Sequence, residues 1–297
     1  MGKLIVRIAS LLLIAAFLPT AVLAAEWNLE NGSIEITATA NPEGGTTQTV
    51  SQGGSSAEDS NPTITSNGNQ TGYTITIKAG GGTTANVTIK DTNISTGNAA
   101  IKTEGKGNVN LNVEGINTVS SGDKHAGVEK ANDGNLTIGS ESGEGELTAN
   151  GGHGGAGIGG GYKGSGSDVT ISKDSRVEAT GGDPCLLGGY GAAIGGGGYN
   201  TDTGNQVDGS EIEPDTSGLY TTGKVERKSG DGTVLDTIVG TVSASSEEPD
   251  KREPLYRVLN LDGSTLKHQA ETADGVLTLT ASADGAILTG TLRALGY

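Results

Sequence analysis

The sequence contains few of the residues that build most globular cores. One Cys, one Met, one Trp and one Phe occur in 297 residues, and hydrophobic residues make up only 33% of the chain. A single Cys excludes an intrachain disulfide, so backbone pairing and packing must hold the fold together. Cys185 could be a catalytic thiol, but no His-bearing motif accompanies it, which favours a small buried or loop residue.

Cationic residues are also scarce. The chain has 19 Lys and Arg against 35 Asp and Glu, which gives a formal net charge of −16. Loss of two cations, Lys3 and Arg7, with an N-terminal leader would take the charge from −16 to −18. No cluster of Lys or Arg follows the leader, so neither nucleic acid nor an anionic membrane is an expected partner.

The N-terminus carries the single long apolar run. Lys3 and Arg7 give a positively charged region before the apolar segment at residues 8–18. The modest side chains of Val22 and Ala24 suit cleavage by signal peptidase. These features predict a secretory signal over residues 1–24, a secreted or cell-surface location, and no membrane insertion after cleavage. The alternative is an uncleaved anchor, for which the apolar run is short.

Glycine, by contrast, is abundant, with 52 residues, and it occurs within a two-part repeat. Gly, Thr, Asn and Ser are poor in helix interiors, which excludes a helical bundle, and the lack of a strict three-residue period excludes collagen. One half of each repeat has a polar residue between two apolar ones: Val87-Thr88-Ile89, Val109-Asn110-Leu111, Leu136-Thr137-Ile138 and Val169-Thr170-Ile171. The other half ends in two small residues and an apolar one: Ala99-Ala100-Ile101, Ala126-Gly127-Val128, Ala156-Gly157-Ile158 and Ala192-Ala193-Ile194.

This repeat predicts an all-β fold, a parallel β-helix. The first-half strands recur after 22, 27 and 33 residues, which suits one solenoid coil each. Stacked coils would merge the few aliphatic side chains into one interior column, and the crossover preference predicts right-handed coils. Ile75-Thr76-Ile77 is expected to start the stack. Residues 25–63 are then an N-terminal cap, 64–200 the repeats, and 201–297 a β-rich C-terminal cap or small module.

The predicted coils widen on one side. The distance in sequence from the first half to the second grows from 12 to 23 residues, whereas the return distance grows from 10 to 13. Loops that lengthen on one face of a solenoid often mark its binding face. The alternative is drift in the length of unconstrained loops.

Three glycine-rich segments resemble a known bacterial family. Residues 147–152, 154–161 and 192–197 read Leu-Thr-Ala-Asn-Gly-Gly, Gly-Gly-Ala-Gly-Ile-Gly-Gly-Gly and Ala-Ala-Ile-Gly-Gly-Gly. They are similar to the coils of secreted or surface-displayed parallel β-helix proteins, many of which are labelled carbohydrate-binding-domain-containing proteins. Trp27, ahead of a strand at Ile34, is similar to the start of those proteins. The resemblance covers roughly residues 26–200 and implies an extracellular location and polysaccharide binding or adhesion, sometimes with calcium.

Five rings flank the second-half strand on successive coils: His125, His153, Tyr162, Tyr190 and Tyr199. Stacked coils would place them in ladders on one face. There the rings could stack against sugar rings, and their polar atoms could bind sugar hydroxyls. The alternative is an aromatic stack that only stabilises neighbouring coils.

Four carboxylates follow the first-half strands, and they could bind calcium. They belong to Asp91, Glu114, Glu141 and Asp174. Like charges one coil apart repel each other unless a cation lies between them or water screens them. Calcium takes several oxygen ligands and is therefore a candidate cofactor. A solvated turn is the alternative.

The sequence as a whole favours a secreted or cell-surface, non-catalytic binding or adhesion protein that engages polysaccharide or host glycan. A polysaccharide lyase or hydrolase is the first alternative, because β-helices host such enzymes. Lys163, Lys173 and Arg176 offer cations for a lyase, but they form no cluster in the sequence. A passive structural surface protein is the second alternative.

Overall fold

The computed structural model describes residues 26–42, 44–143, 145–184 and 188–242 in full, and three strands within residues 267–293 by their backbone. The chain divides into two units, residues 1–244 and 245–297. The predicted signal at residues 1–24 and Cys185 lie outside the described residues. Strands dominate, and the helical element of the described residues is a 3₁₀ turn at Leu29–Asn31.

The first unit is a parallel β-helix, as the sequence predicts, but each full coil has three strands rather than two. The chain passes in turn through sheets B, A and C. Sheet A contains Glu26–Asn28, Thr63–Thr65, Thr84–Lys90, Asn108–Glu114, Leu136–Ser140 and Val169–Lys173. Sheet B contains Ile34–Ala40, Ile75–Ala79, Ile101–Gly105, Val128–Asn132, Ile158–Gly159 and Ile194–Gly195, with Thr46–Gln52 and Ser55–Glu58 added antiparallel at one edge. Sheet C contains Gln70–Thr71, Asn93–Ser95, Ile116–Ser120, Glu146–Asn150, Arg176–Thr180 and Lys224–Lys228, with Val234–Val239 antiparallel at its edge. A separate hairpin joins Tyr199–Asn200 to Gln206–Val207.

The sequence predicts that the stack starts at Ile75, but the stack begins earlier in the chain. Strand Ile75–Ala79 pairs with Ile34–Ala40 on one side and with Ile101–Gly105 on the other, so it belongs to sheet B. Parallel pairing extends from Glu26–Asn28 to Lys224–Lys228, beyond the range 64–200 assigned to the repeats. The period of the first coil is hidden in the sequence because two antiparallel strands are inserted between its sheet B and sheet A strands.

The interior of the β-helix consists of aliphatic columns. Side chains alternate between the two faces of each strand, and the register between coils aligns those that point inward. One column in sheet B comprises Ile34, Ile75, Ile101, Val128, Ile158 and Ile194, each at most 1% exposed. A coil that offers few apolar residues is therefore buried by the coils above and below it.

Glycines at the corner between sheets C and B lie on top of one another. Gly97, Gly122, Gly152 and Gly182 occupy this corner on successive coils. A Cβ on Gly152 would lie 1.9 Å from the carbonyl oxygen of Gly122, and a Cβ on Gly182 would lie 1.8 Å from that of Gly152. Close contact between coils therefore requires glycine at positions 122, 152 and 182 of this column.

A buried asparagine holds the corner between sheets A and C. Asn117 is fully buried, and its Oδ1 accepts a hydrogen bond from the N–H of Thr92 at 3.0 Å. Its Nδ2 donates to the carbonyl oxygens of Glu114 at 2.8 Å and Glu146 at 3.3 Å. One side chain thus satisfies backbone groups of three successive coils.

An ion pair holds the last strands of the β-helix. Arg227 is 8% exposed, and its Nε donates to Oδ1 of Asp236 at 2.7 Å while Nη1 donates to the carbonyl oxygen of Ile212 at 2.7 Å. The guanidinium holds the pKa of Asp236 below its ordinary value of 3.8, and the hydrogen bond to Asp236 raises the pKa of Arg227.

This ion pair makes the C-terminal end of the β-helix sensitive to acid. A carboxylate with a depressed pKa stabilises the fold above its unfolded pKa, and that contribution is lost as pH falls through the lower folded pKa. Below about pH 4, we expect the Tm of the wild type to fall more steeply than that of Asp236→Asn, which has no carboxyl group to titrate there. Thermal unfolding between about pH 5 and pH 2 measures this difference, and parallel acid slopes would contradict it.

The second unit contains three antiparallel strands, Lys267–Ala273, Val276–Ala283 and Ala286–Arg293. They pair in sequence order. The described part of this unit is therefore β-rich, as predicted for the C-terminal part of the chain.

Candidate functional site

Sheet B becomes narrow in its C-terminal coils. Strands Ile101–Gly105 and Val128–Asn132 have five residues, whereas Ile158–Gly159 and Ile194–Gly195 have two. The chain leaves the sheet at Gly159, where φ is +133° and a Cβ would lie 2.0 Å from the carbonyl oxygen of Gly195. Only glycine suits this position. The loop at residues 160–168 takes the place of the rest of the strand.

An open cleft of about 700 Å³ lies between this loop and the preceding coil. Its walls come from segments within residues 123–133 and 161–167. The walls carry two rings, two ammonium groups and three carboxylates: His125, Tyr162, Lys124, Lys130, Asp123, Glu129 and Asp133. Groups that are distant in sequence thus meet in one cleft, the sheet B cleft.

His125 is held in place by Glu129. Its Nδ1 lies 2.7 Å from Oε2 of Glu129, whose side chain is only 11% exposed. Nζ of Lys102 lies 3.8 Å from the other carboxylate oxygen. The carboxylate favours a proton on Nδ1, which leaves Nε2 of the neutral imidazole as a hydrogen-bond acceptor.

Lys130 contributes a poorly solvated ammonium group to the same cleft. The residue is 7% exposed, and its Nζ donates to the carbonyl oxygen of Asn132 at 2.8 Å. Burial lowers the pKa of Lys130, although the charges of Asp168 and Asp133 act in the opposite direction.

Tyr162 is fixed by backbone groups of two other segments. Its N–H donates to the carbonyl oxygen of Lys124 at 2.8 Å, and its hydroxyl accepts from the N–H of Asn200 at 3.1 Å. Nζ of Lys124 and of Lys163 lie 5.4 and 5.8 Å from the centre of its ring, and Nζ of Lys163 lies 5.9 Å from the centre of the Tyr199 ring. These distances are in the cation–π range.

The structure brings three of the five predicted rings together. His125 and Tyr162 line the sheet B cleft, and Tyr199 is linked to Tyr162 through Lys163. His153 lines a neighbouring hollow of about 370 Å³, with its Nε2 4.0 Å from Asp123. Tyr190 is 43% exposed on another loop. The rings are divided in this way because the loops between coils differ in length.

Each carboxylate of the predicted calcium column has a protein partner of its own. Asp91 accepts from the N–H of Ile116 at 3.2 Å, Glu114 accepts from Nδ2 of Asn112 at 3.3 Å, Glu141 pairs with Lys173, and Asp174 accepts from the hydroxyl of Thr222. Among the described residues, no group of three or more His, Cys, Asp or Glu is arranged to hold a metal ion. Calcium binding by this column therefore stays a prediction without geometric support.

A second polar surface covers sheet A. The outward residues Asn86, Asn110 and Thr137 share one register, and Nδ2 of Asn110 donates to Oδ1 of Asn86 at 2.9 Å. These residues line a shallow groove of about 350 Å³ whose lining includes no aromatic residue. The sheet B cleft combines rings with charged groups and is therefore the better candidate.

Sequence reasoning missed Lys124, Lys130 and Glu129, and it named Lys163 only as a cation for a lyase. Glu129 and Lys130 follow Val128 directly in the second-half strand, so a search along that strand would have found them. Lys124 and Lys163 precede His125 and follow Tyr162, respectively, two of the predicted ring residues. What the sequence does not show is that these two lysines approach the same ring.

No helix in the described part of the chain has the length and apolar character needed to cross a bilayer. Comparison of the chain with family models, with curated proteins and with solved structures finds no match. The geometry of the sheet B cleft is therefore the main indication of function.

Proposed function

We propose that the protein is a secreted or cell-surface, non-catalytic protein that binds polysaccharide or host glycan in the sheet B cleft. The observation that supports this most is the meeting of His125 and Tyr162, from different coils, in one open cleft of about 700 Å³. An open cleft suits a polymer, because both ends of a bound chain must leave the site.

The cleft offers the chemistry that a sugar ring needs. The face of Tyr162 can stack against the C–H face of a pyranose, while the imidazole of His125 and the carboxylates can bind its hydroxyls. The hydrogen bonds described above hold both rings in position before ligand arrives. Preorganised side chains lose less conformational entropy on binding, which favours affinity.

Tyr162→Ala is expected to weaken glycan binding about tenfold. The loss corresponds to about 1.4 kcal/mol, a size typical of an aromatic side chain that stacks on its ligand. A panel of immobilised polysaccharides and host glycans identifies a ligand for the wild type, and titration with that ligand gives the affinities of the variants.

Two variants control this experiment. Tyr162→Phe keeps the ring and loses the hydrogen bond from Asn200, so its affinity should stay close to that of the wild type. Tyr190→Ala removes an exposed tyrosine outside the cleft and should leave binding unchanged. Equal affinities of Tyr162→Ala and Tyr190→Ala, or a wild type that binds nothing on the panel, would refute the proposal.

The His125–Glu129 pair also favours one enzymatic alternative, elimination on a uronate polymer. Nε2 of His125 can accept the proton from the carbon next to the sugar carboxyl group. A carbon–carbon double bond then forms as the glycosidic C–O bond breaks, and the leaving oxygen takes a proton from Lys130 or Tyr162. Incubation with polygalacturonate tests this. Ultraviolet absorbance that rises with the wild type and not with His125→Ala would replace the non-catalytic proposal with a lyase.

A further inference from the structure

Lys124 and Lys163 approach a tyrosine ring and not a carboxylate. Most described cations near the sheets are paired, for example Lys102 with Glu129 and Lys173 with Glu141. Neither Lys124 nor Lys163 has a carboxylate of a described residue within 4.0 Å. Both ammonium groups approach one tyrosine ring instead, at 5.4 and 5.8 Å from its centre.

The carboxylates around the cleft contact or face side chains other than Lys124 and Lys163. Glu129 contacts His125 and Lys102, and the charges of Asp133 and Asp168 act on Lys130. Oδ1 of Asp123 lies 4.0 Å from Nε2 of His153. The ammonium groups of Lys124 and Lys163 thus lie at Tyr162 without a direct ion pair to a described carboxylate and could contact an anion of a ligand.

The backbone at these two lysines is strained. Lys124 and Lys163 have φ of +71° and +62°, values at which non-glycine residues are uncommon. Each is the third residue of a turn closed by an i to i+3 hydrogen bond, from His125 to Gly122 and from Gly164 to Gly161. Glycine is the residue that suits such a position.

A neighbouring turn shows the unstrained choice. In the turn at residues 152–155, on the coil after that of Lys124, Gly154 takes the third position with φ of +74°. The two lysines therefore occupy sites where glycine would fold more easily. Four other non-glycine residues also have a positive φ, but at Lys124 and Lys163 the strain coincides with ammonium groups that approach one tyrosine ring, and this combination favours a role in binding.

We infer that the sheet B cleft binds an acidic polysaccharide, with an anionic group of the sugar held between the ammonium groups of Lys124 and Lys163 and its ring against Tyr162 and Tyr199. This inference rests on the proposed function and names its substrate class. Uronates and sulfated sugars both fit this description, because each is a pyranose that carries an anionic group.

The first test compares forms of the same polymer that carry more and less negative charge. Polygalacturonate and its fully methyl-esterified form serve as one pair, and chondroitin sulfate and its desulfated form as a second. We expect at least tenfold tighter binding to the more highly charged member of one or both pairs, with an affinity that falls as salt rises. Equal binding within both pairs overturns this inference and leaves the proposed function standing. Failure to bind any glycan overturns both.

The second test replaces both lysines by glycine. Lys124→Gly with Lys163→Gly should raise Tm, because strain is relieved, and should lower the affinity for the acidic polymer at least tenfold. The charge-preserving pair Lys124→Arg and Lys163→Arg should keep the affinity within about threefold. Lys90→Ala, at an exposed lysine that ends a sheet A strand, should leave binding unchanged. A double glycine variant that loses stability and keeps its affinity would show that the lysines are structural, and the inference would be wrong.

Discussion

Replacement of Gly152 by alanine is expected to lower the free energy of unfolding by about 3 kcal/mol or more, the upper end of the cost of overpacking. The added Cβ would lie 1.9 Å from the carbonyl oxygen and 2.2 Å from the carbonyl carbon of Gly122. Both are backbone atoms of the adjacent coil, so no side chain can move aside. The coils must separate locally, which weakens the parallel hydrogen bonds on both sides. Chemical denaturation of the two proteins measures the difference.

Gly97 provides a matched control in the same column. It lies in the first coil of the set, its φ is not positive, and a Cβ there would have no atom within 4 Å. Gly97→Ala should therefore stabilise the protein by about 0.4 to 1 kcal/mol, because alanine has fewer unfolded conformations to lose. If both variants changed stability by the same amount, the glycine column would not be explained by the contact between coils.

Replacement of Asn117 by alanine should also destabilise the protein by about 3 kcal/mol, because a buried donor or acceptor left without a partner costs about 1–3 kcal/mol. The N–H of Thr92 loses the Oδ1 acceptor, and the carbonyl oxygens of Glu114 and Glu146 lose a donor. Asn117 is fully buried, so water cannot easily take its place.

An exposed asparagine serves as the control for Asn117. Asn110 lies on the outer face of sheet A, where its side chain bonds to Asn86 in contact with solvent. Asn110→Ala should change the free energy of unfolding by less than about 0.5 kcal/mol. Denaturant unfolding of both variants tests the pair, and similar losses would mean that the corner does not depend on the buried hydrogen bonds.

Two faces of the β-helix could be predicted from the sequence because their strands repeat a visible triplet. The third face, sheet C, does not repeat such a triplet in every coil. Its strands Asn93–Ser95, Ile116–Ser120 and Glu146–Asn150 share only an inward residue, and that residue changes from Ile94 to Val119 to Ala149. The inward side chains differ in size from coil to coil, so the pattern is recognisable only once the register is known.

The candidate site could be predicted in part. The positions of His125 and Tyr162 relative to the sheet B strands predict that both rings belong to a binding site. The separation of His153, in a neighbouring hollow, from these two rings could not be foreseen, because it depends on the lengths of loops that have no regular structure. A signal for the lysines was present: residues 122–125, 152–155 and 161–164 read Gly-Asp-Lys-His, Gly-His-Gly-Gly and Gly-Tyr-Lys-Gly. Lysine takes the place of glycine in two of the three turns.

Backbone hydrogen exchange, with and without polygalacturonate, tests most directly whether an acidic glycan occupies the sheet B cleft. Binding there should slow exchange in residues 121–133 and 160–168, because bound polymer restricts opening of both walls. Strand Asn108–Glu114 of sheet A should be unaffected. Slower exchange confined to sheet A, or unchanged exchange in both walls at a saturating concentration of the polymer, would contradict this account.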